Sequence, residues 1–311
     1  VTSSMASPLR AMPRRSALPS LARRLSPARR LSARTSPPKL RYLSAWFCPF
    51  AHRATLALEH HSRHIEWEWE EALGWEKRPS TLGEEADGRS VDWFYHWKSP
   101  ALLQANPSGL VPTLIDASGR AVYESLVCIE FIDELAAQQG STQLLLPAEP
   151  AERARCRIWA DVVNKRCCSP YYGVLVKTEE TGRQESFATL VDGLRRFSRE
   201  LNSEGPFFCG AAPSLVDFTL LPWAFRYYVL EHYKGSAYKI PTDGELMKYH
   251  DWLEAMVALP QVARTLPDKD RYLEHVAKYA NASARSKVAN AVRRGASAHE
   301  IDDERDESET R

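Results

Sequence analysis

One cysteine in the sequence is placed for nucleophilic chemistry. Cys48 comes just after an extended run, residues 40–46, and directly before Pro49. Because proline is favoured at the first position of a helix, Cys48 is predicted to cap that helix. Free backbone N–H groups and the helix dipole stabilise a thiolate there, and no acidic residue precedes Glu59 to oppose them. We therefore expect a reactive thiol with a pKa of about 3.5 to 7.5.

This thiol is predicted to act without a partner sulfur. Ala51 stands where a Cys-x-x-Cys redox pair would have its second cysteine, so an outside thiol must resolve any disulfide on Cys48. The alternative is an inert buried cysteine, the commonest fate of a free thiol. The six cysteines show neither metal-ligand spacing nor a dense disulfide pattern, so we expect no metal and a reducing compartment.

Two further motifs are suited to binding a small ligand. Residues 106–109 have turn chemistry, and Pro112, early in the apolar strand that follows, requires an edge position or a special peptide geometry. Glu124 and Ser125 open an apolar-periodic helix to about residue 137. A serine hydroxyl beside helix N–H groups can bind a carboxylate. Spacing alone favours the alternative, in which Ser125 only caps the helix.

These residues are embedded in a predicted α/β unit. A helix over 49–61 is followed by residues 64–70, whose strict alternation predicts a half-buried strand parallel to the first. Residues 74–88 are polar and predict a surface loop. The aromatic cluster 93–97 is interpreted as core or pocket wall, because basic residues do not alternate with its rings as in nucleic-acid platforms. Residues 110–123 predict a hairpin.

The second half of the chain is predicted to be helical. A composition change near 140–150 indicates a linker, and residues beyond 282 lose apolar periodicity, which predicts a disordered tail over 282–311. The predicted helices cover residues 150–167, 183–203, 214–232, 243–258 and 268–280.

Overall composition limits the classes of function. The chain has 311 residues, 44% of them hydrophobic, with 41 basic and 40 acidic residues, so charge predicts no nucleic-acid partner. No apolar run approaches the ~18 residues of a membrane span. Residues 1–38 are rich in Arg, Ser, Ala and Pro and lack acidic residues, which predicts a transit peptide for a chloroplast or mitochondrion. A disordered basic arm on a cytoplasmic protein is the alternative.

Over about residues 39–281 the sequence resembles the cysteine-type glutathione transferases, most closely the omega class. The resemblance implies an α/β plus all-α fold: a thioredoxin-like domain with a mixed four-stranded sheet over 39–140, and a helical domain over 147–281. It also implies glutathione as cosubstrate, and a homodimer is the family expectation. The motifs that carry it are Cys48-Pro49-Phe50-Ala51-His52-Arg53, Asn106-Pro107-x-Gly109-Leu110-Val111-Pro112, Glu124-Ser125 and Ser214-Leu215-Val216-Asp217.

The resemblance also implies roles for individual residues. Cys48 would form a mixed disulfide with glutathione, and Val111, before a cis proline, would pair its backbone with the tripeptide. Glu124 and Ser125 would bind the ammonium and carboxylate of the γ-glutamyl end. The full implied set is Phe50, Lys98, Val111, Pro112, Glu124 and Ser125 for glutathione, and Trp223 and Arg226 for the second substrate, with packing as the alternative for the last two.

The implied activity is that of a glutathione-dependent thiol transferase or reductase, of dehydroascorbate-reductase or deglutathionylase type, acting on a small-molecule or protein-thiol acceptor. The alternatives are a glutathionyl-hydroquinone reductase and a non-catalytic member of the fold, either a scaffold or a chloride-intracellular-channel-like protein. Two segments depart from the omega pattern. Residues 74–97 are longer than the usual connection, and the chain continues beyond residue 281.

Overall fold

The computed structural model describes residues 39–79 and 92–301. The predicted transit peptide and the acidic run over 302–309 lie outside these ranges. Within them the chain forms strands first and helices afterwards. The strands are β1 (Lys39–Ser44), β2 (Glu66–Glu71), β3 (Leu73–Pro79), β4 (Asp92–Lys98), β5 (Thr113–Ile115) and β6 (Ala121–Tyr123).

The helices account for most of the chain after Tyr123. No helix in the described ranges is long and apolar enough to cross a bilayer. The helices are α1 (Pro49–His60), α2 (Pro100–Ala105), α3 (Ser125–Gln138), α4 (Pro150–Val163), α5 (Ser169–Val176), α6 (Glu180–Glu200), α7 (Leu215–Ala224), α8 (Tyr228–Lys234), α9 (Met247–Ala258), α10 (Pro260–Ala263), α11 (Lys269–Ala280) and α12 (Lys287–Arg293).

A mixed four-stranded sheet forms the first half of the fold. Its order is β2-β1-β5-β6, with β1 parallel to β2 and antiparallel to β5, and β5 antiparallel to β6. Tyr42 of β1 is fully buried and meets the rings of Trp67 and Trp69 edge-on at 6.0 and 5.2 Å. Helices α1 and α3 pack together against this sheet. The topology confirms the predicted thioredoxin-like half, and the helices that follow confirm the helical half.

The first part of the region predicted as a surface loop is a strand, and residues 80–88 of that region lie outside the described ranges. Residues 74–79 belong to β3, which pairs antiparallel with β4 in a separate two-stranded sheet. The aromatic cluster 93–97 is therefore a strand. Gly74 lies opposite Trp97 in this pairing, and the Trp97 indole occupies the space that a Cβ atom at Gly74 would take. Polar composition misled the prediction, because a two-stranded ribbon exposes much of both strands to water.

Two of the predicted long helices are interrupted. The chain passes from α4 into α5 through a π-helical turn, Asn164–Cys168, and the predicted helix over 214–232 is divided into α7 and α8. π-helical turns occur frequently at functional sites. Here the turn brings Asn164 to the cavity described below.

The predicted disordered tail is corrected for residues 282–301. This segment contains α12, and the side chains of Ala284, Ala289, Ala291, Val292 and Ala298 are buried. The side chains of residues 284–298 that become buried are short and do not form a long periodic run. A search for apolar periodicity over a longer window therefore does not detect this segment.

Asp217 holds the start of α7 and is fully buried. Its carboxylate accepts hydrogen bonds from the Ser214 backbone and hydroxyl, both at 2.7 Å, from the Phe208 backbone at 3.0 Å and from the Trp252 indole at 2.7 Å. A buried donor that loses its acceptor costs about 1–3 kcal/mol. The carboxylate therefore links the helix start to a neighbouring loop and to α9.

Replacing Asp217 with alanine is expected to lower the free energy of unfolding by about 2–4 kcal/mol, because four buried donor groups lose their acceptor. Urea denaturation measures this loss. Asp268→Ala is the matched control, since Asp268 caps α11 at an exposed end and its loss costs about 1 kcal/mol. Equal losses in the two variants would contradict the special role of Asp217.

Candidate active site

A cavity of about 380 Å³ opens beside the start of α1 and is lined by both halves of the fold. The first half contributes Cys48, Phe50, Arg53, Val111, Pro112 and Ser125, and the second contributes Asn164, Tyr172, Tyr272, Tyr279 and several residues beyond 281. The cavity brings together all three short motifs that the sequence singled out for ligand binding. It is the candidate active site.

Cys48 occupies the predicted place, directly before the first residue of α1. Its backbone is extended, and Pro49 begins the helix. The sulfur lies 4.0 Å from the carbonyl oxygen of Val111, and the residue is half-buried on the cavity wall. The thiol therefore lies where the start of α1 meets Val111 and Pro112, the residues that lead into β5.

The expected low pKa of Cys48 is corrected by the structure. Burial raises the pKa of this thiol above its usual value, because the surrounding protein desolvates the thiolate. The backbone N–H groups of Ala51 and Phe50 and the charges of Arg226 and Arg53 act in the opposite direction without overcoming burial. The helix start lowers the pKa of Cys48 as the sequence predicted, but the sequence did not indicate that burial would desolvate the thiolate.

This shift predicts the pH dependence of Cys48 alkylation. With a raised pKa, only a small fraction of Cys48 is thiolate at neutral pH. This fraction increases about tenfold per pH unit until the pH passes the pKa. The rate of iodoacetamide labelling should thus rise continuously between about pH 6 and pH 9. Mass spectrometry of the labelled peptide measures it, with Cys48→Ala as background. A plateau below about pH 7 would contradict the effect of burial.

Arg53 connects the elements around the cavity, although sequence reasoning assigned it no role. Its guanidinium donates to the Ser125 hydroxyl at 3.0 Å, to the Thr219 carbonyl at 3.0 Å and to the Asn164 side chain at 2.8 Å. It also lies over the Trp223 ring, 4.3 Å from its centre. One buried cation thus fixes α3, α7 and the π-helical turn relative to α1. The basic residue in the Cys-Pro-Phe-Ala-His-Arg motif was the available signal.

The ligand-binding motifs take the predicted positions. The Val111–Pro112 peptide bond is cis, as the resemblance implied. Ser125 is buried at the start of α3, and Glu124 before it is exposed with a φ of 70°, a conformation that non-glycine residues rarely adopt. This backbone leaves both Glu124 and Ser125 on the cavity wall.

Three predicted site residues do not line the cavity. Trp223 and Arg226 are fully buried beneath it, so their assignment to a second-substrate pocket is corrected. Arg226 donates to the Pro222 carbonyl at 2.6 Å and to His52 at 3.1 Å. Lys98 lies outside the lining at the end of β4, where a Cβ atom on Gly109 would meet its Cδ at 2.7 Å.

The wall nearest β3 and β4 is aromatic and uncharged. His275 stacks on Phe47 at 3.9 Å and accepts a hydrogen bond from the Trp75 indole at 2.9 Å. Burial lowers the pKa of His275 to about 2 and that of His96 to about 3. Both imidazoles are therefore neutral at physiological pH. This wall offers ring contacts to an acceptor.

The remaining wall comes from the segment after α11. Residues Ser286, Lys287, Val288, Ala298, His299 and Ile301 all face the cavity. The segment is fixed at its far end by a hydrogen bond between His299 and Ser169. Sequence reasoning missed these residues because the segment lies beyond the family pattern.

The two segments that depart from the omega pattern contact each other. The Phe94 N–H of β4 donates to the Ser283 carbonyl at 3.1 Å, and the Arg285 N–H donates to the Phe94 carbonyl at 2.8 Å. The Arg285 guanidinium lies over the Trp93 ring. The β3–β4 hairpin therefore supports the C-terminal segment that closes the cavity.

Comparison with known proteins agrees with this geometry. The model of the glutathione S-transferase N-terminal domain matches residues 47–135, and that of the C-terminal domain matches residues 180–264. Glutathione transferase GST 23 of Zea mays is 32% identical over 184 residues, which are 57% of this chain and 76% of the relative. Glutathione S-transferase U27 of Arabidopsis thaliana is 26% identical over 235 residues, 75% of this chain and 91% of the relative.

Among solved structures, glutathione transferase Omega 3C from Trametes versicolor superposes with a TM-score of 0.61 at 28% identity, covering 79% of this chain and 92% of that one. The two domain models together match more than half of the chain, and they include Cys48, the Val111–Pro112 bond and the start of α3. The chain therefore belongs to the glutathione S-transferase family, whose members are enzymes that use glutathione as a cosubstrate.

Proposed function

We propose that this enzyme is a glutathione-dependent thiol transferase or reductase that works through a disulfide between Cys48 and glutathione. One observation carries the proposal: a cysteine sulfur, partly accessible, stands at the start of α1 on the wall of the cavity. A thiol there can form a covalent bond to the glutathione sulfur, which a hydroxyl cannot.

Four groups of the site suit the tripeptide. Arg53 donates to the Ser125 oxygen, so the hydroxyl hydrogen is directed elsewhere and can bind the γ-glutamyl carboxylate. The N–H groups at the start of α3 support the same charge. Glu124 can pair with the ammonium, and the Val111 backbone can pair with the cysteinyl residue, which brings the glutathione sulfur towards Cys48.

The reaction with a glutathionylated acceptor would proceed in two exchanges. The Cys48 thiolate attacks the glutathione sulfur of the acceptor, the acceptor disulfide breaks, and the acceptor leaves as a thiolate that takes a proton. A second glutathione thiolate then attacks the glutathione sulfur on Cys48. This step releases glutathione disulfide and restores the Cys48 thiolate. The second exchange needs no second cysteine in the cavity.

Incubation with glutathione disulfide tests the proposal. The expected product carries one glutathionyl group on Cys48, because the cavity holds both the reactive sulfur and the groups that bind the tripeptide. Peptide mapping by mass spectrometry locates the adduct, and Cys48→Ala supplies the control without it. An adduct on Cys209 alone, the other partly accessible cysteine of the described residues, would contradict the proposal.

A second function, conjugation of glutathione to electrophiles, is favoured by one specific observation. Burial raises the pKa of Cys48, and a thiol that keeps its proton can donate a hydrogen bond to the glutathione thiolate. The thiolate of glutathione, not Cys48, would then be the nucleophile. Turnover of an electrophile without any Cys48 adduct would favour this function over thiol transfer.

A further inference from the structure

We propose that Cys156 and Cys209 form a second, redox-active dithiol site that peroxide converts to an intramolecular disulfide. Cys156 lies on α4 and Cys209 in the loop before α7, and neither lines the cavity of Cys48. Their sulfur atoms are 3.2 Å apart, so a bond of about 2.05 Å requires only a small approach. Cys156 is buried, whereas Cys209 is partly accessible.

The loop that carries Cys209 packs against α4, because the Phe208 ring lies 5.5 Å from the Trp159 ring and the Arg155 guanidinium lies over it at 4.7 Å. Phe207 and Gly210 exchange two backbone hydrogen bonds, at 3.0 and 3.1 Å, so Cys209 sits inside a tight turn. Asp217 accepts the Phe208 N–H at 3.0 Å, and the Phe208 side chain is fully buried. The short distance between the sulfur atoms is therefore fixed by packing on both sides of the turn.

The two thiols differ in burial and in pKa, as disulfide formation through one nucleophilic and one resolving cysteine requires. The two sulfur atoms lie within hydrogen-bond distance of each other, and this contact lowers the pKa of Cys209 and raises that of Cys156. Arg155 also lowers the pKa of Cys209, whereas burial and the charge of Asp217 raise it. Cys209 is thus the partly accessible cysteine with the lowered pKa, and Cys156 is the buried, protonated cysteine beside it.

The chemistry balances with hydrogen peroxide as the oxidant. The Cys209 thiolate attacks one peroxide oxygen, the O–O bond breaks, and hydroxide leaves, giving a sulfenic acid. The Cys156 sulfur then attacks the Cys209 sulfur. The S–O bond breaks, the hydroxyl group leaves as water with the Cys156 proton, and the disulfide forms.

Other cysteines of the described residues lack these conditions. Cys128 is buried, and burial raises its pKa. Cys167 and Cys168 are adjacent in sequence but both are buried, and Cys168 contacts Arg53 and the Thr219 carbonyl. Cys209 therefore combines partial exposure with a neighbouring thiol.

The test treats the full-length protein with a small excess of hydrogen peroxide and maps its peptides without reduction. The expected result is a Cys156–Cys209 linked peptide, a protein lighter by two hydrogen atoms, and a higher midpoint of thermal unfolding that dithiothreitol reverses. Oxidation of Cys209 to sulfinic acid without a linked peptide would overturn the proposal, as would an unreacted Cys209.

Two variants sharpen the test. In Cys156→Ser, Cys209 is expected to stop at the sulfenic acid, which dimedone labels, because the resolving sulfur is absent. Cys128→Ser should still form the linked peptide as the wild-type chain does, since Cys128 has no part in the bond. If Cys156→Ser gave no more dimedone label than the wild-type chain, the resolving role of Cys156 would be wrong.

Discussion

Replacing Cys48 with serine is expected to lower kcat/KM for thiol transfer by about a thousandfold or more, because a hydroxyl cannot form the mixed disulfide. The loss should appear as a lower kcat and not as a higher KM, because the groups around Ser125 that suit glutathione remain. A coupled glutathione-reductase assay with a glutathionylated peptide measures it. Conjugation of an electrophile should persist or rise in the same variant, because serine can donate a hydrogen bond to the glutathione thiolate.

Two further variants identify the cause of such a loss. Cys209→Ser makes the same chemical change outside the cavity and should leave thiol transfer unchanged. Ser125→Ala should raise KM for glutathione by about 10- to 100-fold, as expected for the loss of a hydrogen bond to a charged group. Full thiol-transferase activity in Cys48→Ser would remove Cys48 from the mechanism.

Ending the chain after Asn281 is expected to open the cavity and to lower the free energy of unfolding by about 3–5 kcal/mol. The loss arises because the segment buries several apolar side chains, which are Ala284, Ala289, Ala291, Val292 and Ala298. Urea denaturation measures the stability change. Relative kcat/KM values for a series of acceptors of increasing size measure the opening, and large acceptors should gain most.

The matched control ends the chain after Ile301, which keeps every residue of the segment that lines the cavity. It should retain the acceptor preference of the full chain. If the shorter chain fails to fold, Val288→Trp and Val288→Ala test the same surface within the full chain. The tryptophan should exclude large acceptors and the alanine should admit them. An unchanged acceptor preference in both variants would show that the segment does not limit acceptor size.

Several parts of the site could be predicted from sequence because they depend on neighbouring residues. Pro49 after Cys48 specifies a helix start, and the turn at 106–109 precedes the strand of Pro112. Glu124 and Ser125 begin α3 as expected. The cis peptide bond before Pro112 came from the family resemblance and not from local chemistry, because a cis isomer at any one X-Pro bond has a prior of only about 5%.

Other parts depended on contacts between distant segments. The Phe94 backbone joins Ser283 and Arg285 across almost 200 positions of the chain, which no local pattern indicates. Trp223 and Arg226 have residue types that suit a pocket, yet packing buries both beneath the cavity. The hydrophobic character of a segment predicts that it is buried but not which surface it covers.

The amino-acid sequence by itself determined the first strand, α1, the parallel second strand, the hairpin and the start of α3, and it identified the cysteine directly before α1. It did so because turn residues, helix starts and alternation act over a few neighbouring positions. Only the tertiary structure decided the environment of that cysteine, the connecting role of Arg53 and the closure of the cavity by residues 283–301. The physical reason is that desolvation and enclosure are produced by all the atoms that surround a group, and residues remote in sequence supply most of them.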